Sequence, residues 1–227
     1  MKYIEKQAQP QDLIAWVRER ATDAEGTERE WGYDDMPAAV RRAVKASLVR
    51  EQGGLCCYTG RRISLQGSHI EHLKPQSICT KHEDTEYDNL LAAHPSSDPG
   101  TPHCAYGAHA RTNWYDLHQF VHPRRPDCEQ RFRYRDDGRI CAASQRDLGA
   151  TETITRLHLD HREIQQMRKQ VIYEALFAKE LGEAQVRRLM AAMDERDGNG
   201  DFRPFCFVIK QACEKYLKRF EKPKGNK

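Results

Sequence analysis

Side chains that bind metals or move protons crowd into one stretch of this chain, and any fold it adopts must either bring them together or bury them apart. Between Leu55 and Asn113 lie Cys56, Cys57, His69, Glu71, His72, His94, Cys104 and His109, with Asn89 among them. Imidazole and thiolate suit transition metals, whereas a carboxylate beside an imidazole suits Mg²⁺ or a similar catalytic ion. The hydrophobic fraction is 38% and the charged fraction 31%, so the core is thin. A fold of that kind gains from a metal or a partner.

At 227 residues there is room for one sizeable domain with an appended lobe, or for two small domains. The net charge is only +3, so nucleic-acid binding has to come from local basic patches rather than a global field. No apolar run approaches the roughly 18 residues of a membrane span, and the segment Met1 to Pro10 lacks a signal peptide's apolar core. A cytosolic, membrane-free protein is expected. In that compartment eight cysteines read as ligands or small buried hydrophobes rather than disulfides. No glycine-rich loop ending in Lys-Ser or Lys-Thr is present, so an NTP motor would have to be another chain.

Periodicity divides the chain into three parts. In 1–54, Leu13, Ile14, Trp16 and Val17 mark a short helix after Pro10, residues 23–35 read as a loop, and Met36 to Gln52 is a second helix capped by Asp35 and stopped by Gly53 and Gly54. Its outer face carries Arg41, Arg42, Lys45 and Arg50, a solvated surface or a phosphate contact. In 55–122, Leu55 to Ser64 reads as two strands about a Thr59-Gly60 turn, Ser68 to Leu73 as extended, and Gln76 to Asp88 as a loop. Asn89 to His94 reads as the approach to a helix, and His109 to His122 as that helix. In 123–227 a hairpin over Arg131 to Ala142 turns at Asp137-Gly138, and helices are expected over Glu152 to Leu157, from an Asp160/Glu163 capping box to Gly182, over Glu183 to Arg196 and over Phe205 to Phe220. Lys218 to Lys227 reads as a frayed tail. The fold class is α+β, mainly helical: a ββα-metal core with an N-terminal helical segment and a C-terminal helical lobe, the hairpin and lobe forming one compact unit with the core.

His69-Ile70-Glu71-His72 is the sharpest local signal. Phosphodiester hydrolysis needs a base to activate water and a cation to neutralise the departing oxygen. An imidazole beside a metal-binding carboxylate supplies both. On an extended segment, however, His72 and Glu71 face opposite ways, so the strand must twist or bend if both are to serve one site.

The order Cys56-Cys57-Tyr58-Thr59-Gly60, His69-Ile70-Glu71-His72, Tyr87-Asp88-Asn89-Leu90-Leu91 and His109-Ala110-Arg111-Thr112-Asn113-Trp114 resembles the HNH endonucleases associated with retrons and with the Septu antiphage system, the PtuB-like family. The likeness extends over the helix before Gly53-Gly54 and over Ala150 to Leu159 followed by Arg168. The resemblance implies that His72 is the general base and Glu71 a metal ligand, that Asn89 holds the loop orienting the base, and that His109 is the second ligand of a Mg²⁺ or Mn²⁺ ion. His103 and Asn113 are the alternatives to His109, and His69 is a third ligand or positions substrate. It further implies an antiphage role with a PtuA-like ATPase partner, with a retron reverse transcriptase and its nucleic acid as further associates. The substrate, DNA or RNA, stays open, as does a non-catalytic metal-stabilised binding or assembly subunit.

Many relatives hold a structural zinc with two Cys-x-x-Cys pairs. Here Thr59 and His94 stand where cysteines would be expected, leaving either a mixed zinc site of Cys56, Cys57, His94 and Cys104 or buried thiols packing the core. A zinc-deaminase reading of His69-Ile70-Glu71 with Pro102-His103-Cys104 fails for want of two cysteines. The acidic run Asp194 to Asp201 lacks the closing glutamate of a Ca²⁺ loop and reads as a polar turn between helices. His118, His122, His158 and His161 read as ordinary histidines, and Cys206 and Cys213 as core. Arg111 and the hairpin residues Arg131, Arg133 and Arg135 are the candidate nucleic-acid contacts, with a solvated strand face as the alternative for the hairpin.

Overall fold

A computed structural model describes residues 1–21 and 30–221. Most of the 23–35 loop and of the Lys-rich tail lies outside the described residues. Helix α1 (Gln11–Ala21) begins where the Pro10 carbonyl accepts from Leu13 N and Ile14 N, at 3.0 and 3.2 Å. Its Leu13 and Trp16 are buried, and it packs on α2 (Ala38–Glu51), which buries Val44 and Leu48. Asp35 does not cap α2. It closes a 3-10 turn over Tyr33–Asp35, where its carboxylate accepts from Gly32 N at 2.9 Å.

Two small antiparallel sheets follow among mostly helical neighbours. In the first, β1 (His69–His72) pairs with β2 (Leu90–Ala93), with Glu71 opposite Leu91 and His72 opposite Leu90. Leu90, Leu91, Ala92 and Ala93 are all fully buried, so this strand shows none of the alternation that would distinguish it from a helix approach. Its free edge is met by a side chain: Gln52 Nε2 donates to Ala92 O at 2.8 Å, and Ala92 N donates to Gln52 Oε1 at 2.7 Å. The hairpin expected over 55–64 is reduced to one bridge, Leu55 to Arg62, because Cys57 N turns to the β2 carbonyl of Ala92 instead.

The helix expected over 109–122 is a single turn, α3 (Ala108–Arg111). Thr112 adopts φ +51 and ends it, and Asp116 then accepts from His118 N and Gln119 N at 2.8 Å each. The second sheet is the expected hairpin, β3 (Phe132–Tyr134) with β4 (Ile140–Ala142), turning at Gly138. Helix α4 (Leu148–Arg156) starts earlier than expected because Asp147 caps it, accepting from Ala150 N at 2.9 Å. Helix α5 (Arg162–Leu176) is capped by His161, whose Nδ1 accepts from Glu163 N at 3.4 Å, rather than by an Asp160 box, and ends before Phe177. Helices α6 (Glu183–Ala192) and α7 (Cys206–Leu217) flank a polar turn in which Asp197 accepts from Asn199 N and Asp201 N.

Apolar side chains gather in two clusters. One joins α1, α2, residues 56–58, β2, Phe120, Phe132 and Leu157; the other joins Leu55 and Tyr106 to α5, α6 and α7, with Cys206 and Cys213 inside it. All eight cysteines are free. Among the described residues no helix is long and apolar enough to cross a membrane.

Candidate functional site

Alternation along β1 sends His69 and Glu71 to one side and Ile70 and His72 to the other. On the first side Glu71 is buried within a dense set of donors. Its Oε1 accepts from Tyr58 OH at 3.0 Å and from Arg111 Nε at 2.9 Å, with Arg111 Nη2 in ion-pair contact at 2.6 Å. Its Oε2 stands 3.3 Å from His69 Nε2. Burial raises the Glu71 pKa, but His69, Arg111 and Tyr58 outweigh it and keep the carboxylate below its ordinary value. For His69 the balance runs likewise: burial lowers the pKa, and Glu71 with the Pro95 carbonyl reverses it to a net rise. His69 Nδ1 faces Pro95 O at 2.5 Å, so Nδ1 carries a proton. Its Nε2 therefore meets a carboxylate oxygen either as a second N–H or as a lone pair with a shared cation between them.

On the other side His72 Nε2 lies 2.9 Å from the carbonyl of Asp84. A carbonyl only accepts, so Nε2 holds the proton and, in the neutral ring, Nδ1 keeps the lone pair. Burial lowers the His72 pKa and favours that neutral form, with the Asp84 carbonyl offsetting part of it. Nδ1 has no hydrogen-bond partner among the described residues. The ring stands edge-on to Tyr33, centroids 4.6 Å apart, and Tyr33 N donates to the Asp84 carboxylate at 2.8 Å.

Asn89 fixes the loop that presents the Asp84 carbonyl. Its Oδ1 accepts from Lys74 N at 2.7 Å, and its Nδ2 donates to Lys74 O and Glu83 O, both at 3.1 Å. A Lys74–Glu83 ion pair spans the same loop. His72 and Asn89 are thus joined through the loop backbone, while the side chains of Glu71 and His72, though adjacent, have separate hydrogen-bond partners.

His109 and His103 approach the Glu71 side. The His109 ring is 5.9 Å from that of His69 and 5.0 Å from that of His103, centroid to centroid, and its Nδ1 accepts from Cys104 N at 3.1 Å. Burial, with His69 and His103 nearby, lowers its pKa. Asn113 is exposed in the turn after α3. Among the described residues no group of three or more His, Cys, Asp or Glu side chains is arranged to hold a metal.

Cys56, Cys57, His94 and Cys104 are likewise not gathered. Cys56 and Cys57 sit in the first apolar cluster and Cys104 in the second, and it is the backbone amide of His94, not its ring, that donates to Cys56 Sγ, at 3.3 Å. Burial pushes the Cys56 thiol up, but donors from Cys57, Thr59 and the His94 amide bring it down to about 5. Burial, then Arg61, lowers His94 to about 4.

Two of the expected nucleic-acid contacts are otherwise engaged. Arg111 is 3% exposed and spends its guanidinium on Glu71 and on the carbonyls of His72, Leu73 and Trp114, so it cannot meet a phosphate. Arg131 is clamped on Asp147 by two hydrogen bonds, with Asp127 alongside. Arg133 and Arg135 are exposed. The chain positions Glu71 and His72 with Tyr58 and the Asp84 carbonyl, to which motif reading gives no role, and with Arg111, which it takes for a nucleic-acid contact. Tyr58 lies inside the Cys-Cys-Tyr run, but a backbone carbonyl leaves no trace in the sequence. No family model matches this chain, and no curated protein matches it.

Proposed function

We propose that the chain is a metal-dependent endonuclease of the HNH type, hydrolysing phosphodiester bonds in DNA or RNA with His72 as general base. The observation that carries this reading is the tautomer of His72: the Asp84 carbonyl accepts from Nε2–H, and among the described residues Nδ1 has no hydrogen-bond partner. A neutral imidazole so oriented takes a proton from water as the oxygen attacks phosphorus. Asn89 supports that role by holding the loop that supplies the carbonyl.

Donor chemistry on the other side of β1 fits an oxygen- and nitrogen-binding ion that keeps water and phosphate oxygens in its shell. Glu71 Oε2 and His69 Nε2 already face each other, and His109 is the nearest further imidazole, with His103 behind it. Glu71, His69 and His109 would hold a Mg²⁺ or Mn²⁺ ion there, and such an ion would supply positive charge to the departing 3′-oxygen. Because alternation sends His72 to the other side of β1, this reading requires the strand to twist or bend at His72 for both to serve one phosphate. Arg111 and Tyr58 fix the other Glu71 oxygen and so orient the carboxylate.

The sequence resemblance supports placing this nuclease in an antiphage system beside a PtuA-like ATPase, since the chain has no NTP-binding loop of its own. A second reading has one observation in its favour. The Glu71–Arg111 pair is buried and hydrogen-bonded as a structural ion pair would be, which suits a non-catalytic nucleic-acid-binding or assembly subunit.

Incubation of the protein, alone and with the ATPase, with DNA and RNA in Mg²⁺ or Mn²⁺ separates the two. The nuclease reading expects cleavage that falls by about 10² to 10⁴ in His72→Ala. Cleavage undiminished in His72→Ala would remove His72 from the mechanism, and binding without cleavage by the wild type would favour the second reading.

A further inference from the structure

A groove of about 620 Å³ opens between α2 and β1, within the size range of small-ligand sites. We propose that it seats the sugar–phosphate backbone of a nucleic-acid strand and leads that strand to His72. The inference rests on the nuclease reading for its destination but not for its ligand.

Charge and placement carry it. Arg41, Arg42 and Lys45 line the groove, and spacings of three and four residues put them on one face of α2. Among the described residues that line it, Asp98 is the only carboxylate, and it already accepts from Ser96 Oγ at 2.7 Å. Carbonyls hold two of the cations in place: Arg41 Nε donates to Met36 O at 2.7 Å, and Lys45 Nζ donates to Ser68 O at 3.1 Å. A carbonyl orients such a group without cancelling its charge, so the face stays cationic and partly preorganised. The Arg41 guanidinium stands 5.6 Å from the Tyr33 ring, and Tyr33 with Ile70 gives the groove an apolar wall against which a sugar or base can lie.

Tyr33 also links the groove to the chemistry. The ring that lines it packs edge-on against His72. A strand tracking along α2 therefore arrives at the imidazole, held by phosphate contacts that position it and read no sequence.

The test measures binding separately from cleavage. Short labelled oligonucleotides, single-stranded and duplex, DNA and RNA, are titrated with full-length His72→Ala by fluorescence anisotropy over a salt series. Arg42→Glu with Lys45→Glu on that background is expected to bind on the order of tenfold or more weaker, with a salt slope shallower by about two. Arg42→Gln with Lys45→Gln, a milder change at the same two positions, is expected to fall between. Arg187→Glu with Arg188→Glu, exposed on α6 and outside the lining of the groove, serves as the control and is expected to bind like the parent. No binding by the parent, unchanged affinity in both groove variants, or an equal loss in the α6 control would overturn the proposal. Wild-type cleavage with unaltered groove-variant binding would reject the groove and leave the nuclease standing. Weakened groove-variant binding with no wild-type cleavage would do the reverse.

Discussion

Glu71 and His72 are neighbours in the chain, yet strand alternation gives their side chains different partners, and the division decides what each can do. Glu71 is tied to Arg111, which also reaches the carbonyls of His72, Leu73 and Trp114. Removing the guanidinium leaves a buried carboxylate and three carbonyls short of donors, so Arg111→Met should cost on the order of 3 to 5 kcal/mol in chemical denaturation. Arg111→Lys should recover little of that, because an ammonium cannot reproduce the planar fork. A loss under 1 kcal/mol would mean that Arg111 does not brace the strand. At this scale the histidines and Asn89 were legible because their types and spacing announce chemistry. Arg111 reads as a candidate nucleic-acid contact because nothing in its local sequence shows that α3 turns it inward. The Asp84 carbonyl, which sets the His72 tautomer, belongs to every residue type alike.

Secondary-structure elements were read best where sequence pattern and packing agree. Helices α1, α2, α6 and α7 follow their apolar stripes, and the β3–β4 hairpin follows its Asp-Gly turn. Strand β2 was missed because burial on every side removes the period that distinguishes a strand, and Gln52 rather than another strand satisfies its edge. Helix α3 was overextended because Trp114, Leu117 and Phe120 keep a helical spacing, whereas the positive φ of Thr112 is invisible to that pattern. In the hairpin, Gly138 has φ +82, and a Cβ there would collide with the backbone of Gln165 and Lys169 in α5. Gly138→Val should therefore destabilise the fold by more than about 2 kcal/mol, combining positive-φ strain with a steric conflict. A variant with an unchanged urea midpoint would show that the hairpin and α5 do not meet as described.

Across the whole molecule, long-range polar contacts tie the parts together. Lys6 Nζ, 2.5 Å from Glu51 Oε1, also donates to Leu90 O, so the first residues are anchored to α2 and to the sheet bearing the candidate site. Neither the two apolar clusters nor this pairing was legible in the sequence, because they depend on contacts between segments far apart in the chain. The pH response belongs to this scale as well. His122 is held at about 4 by burial and then by Arg125 and Arg124, with Asp127 opposing, and among the described residues its buried Nδ1 has no hydrogen-bond partner. As pH falls through 6.5 the unfolded chain takes up a proton that the folded chain refuses until about 4, so stability is lost across that window. His122→Phe should remove that component, on the order of 2 kcal/mol, from the difference between urea unfolding at pH 7 and at pH 4.5. An unchanged difference would show that His122 does not titrate this way. The central claim is that a neutral, backbone-oriented His72 activates water. It is tested most directly by cleavage of DNA and RNA in Mg²⁺ or Mn²⁺ by His72→Ala with and without free imidazole. The account predicts that cleavage is lost in the variant and partly restored by imidazole; a His72→Ala chain that cleaves at the wild-type rate without it would contradict the account.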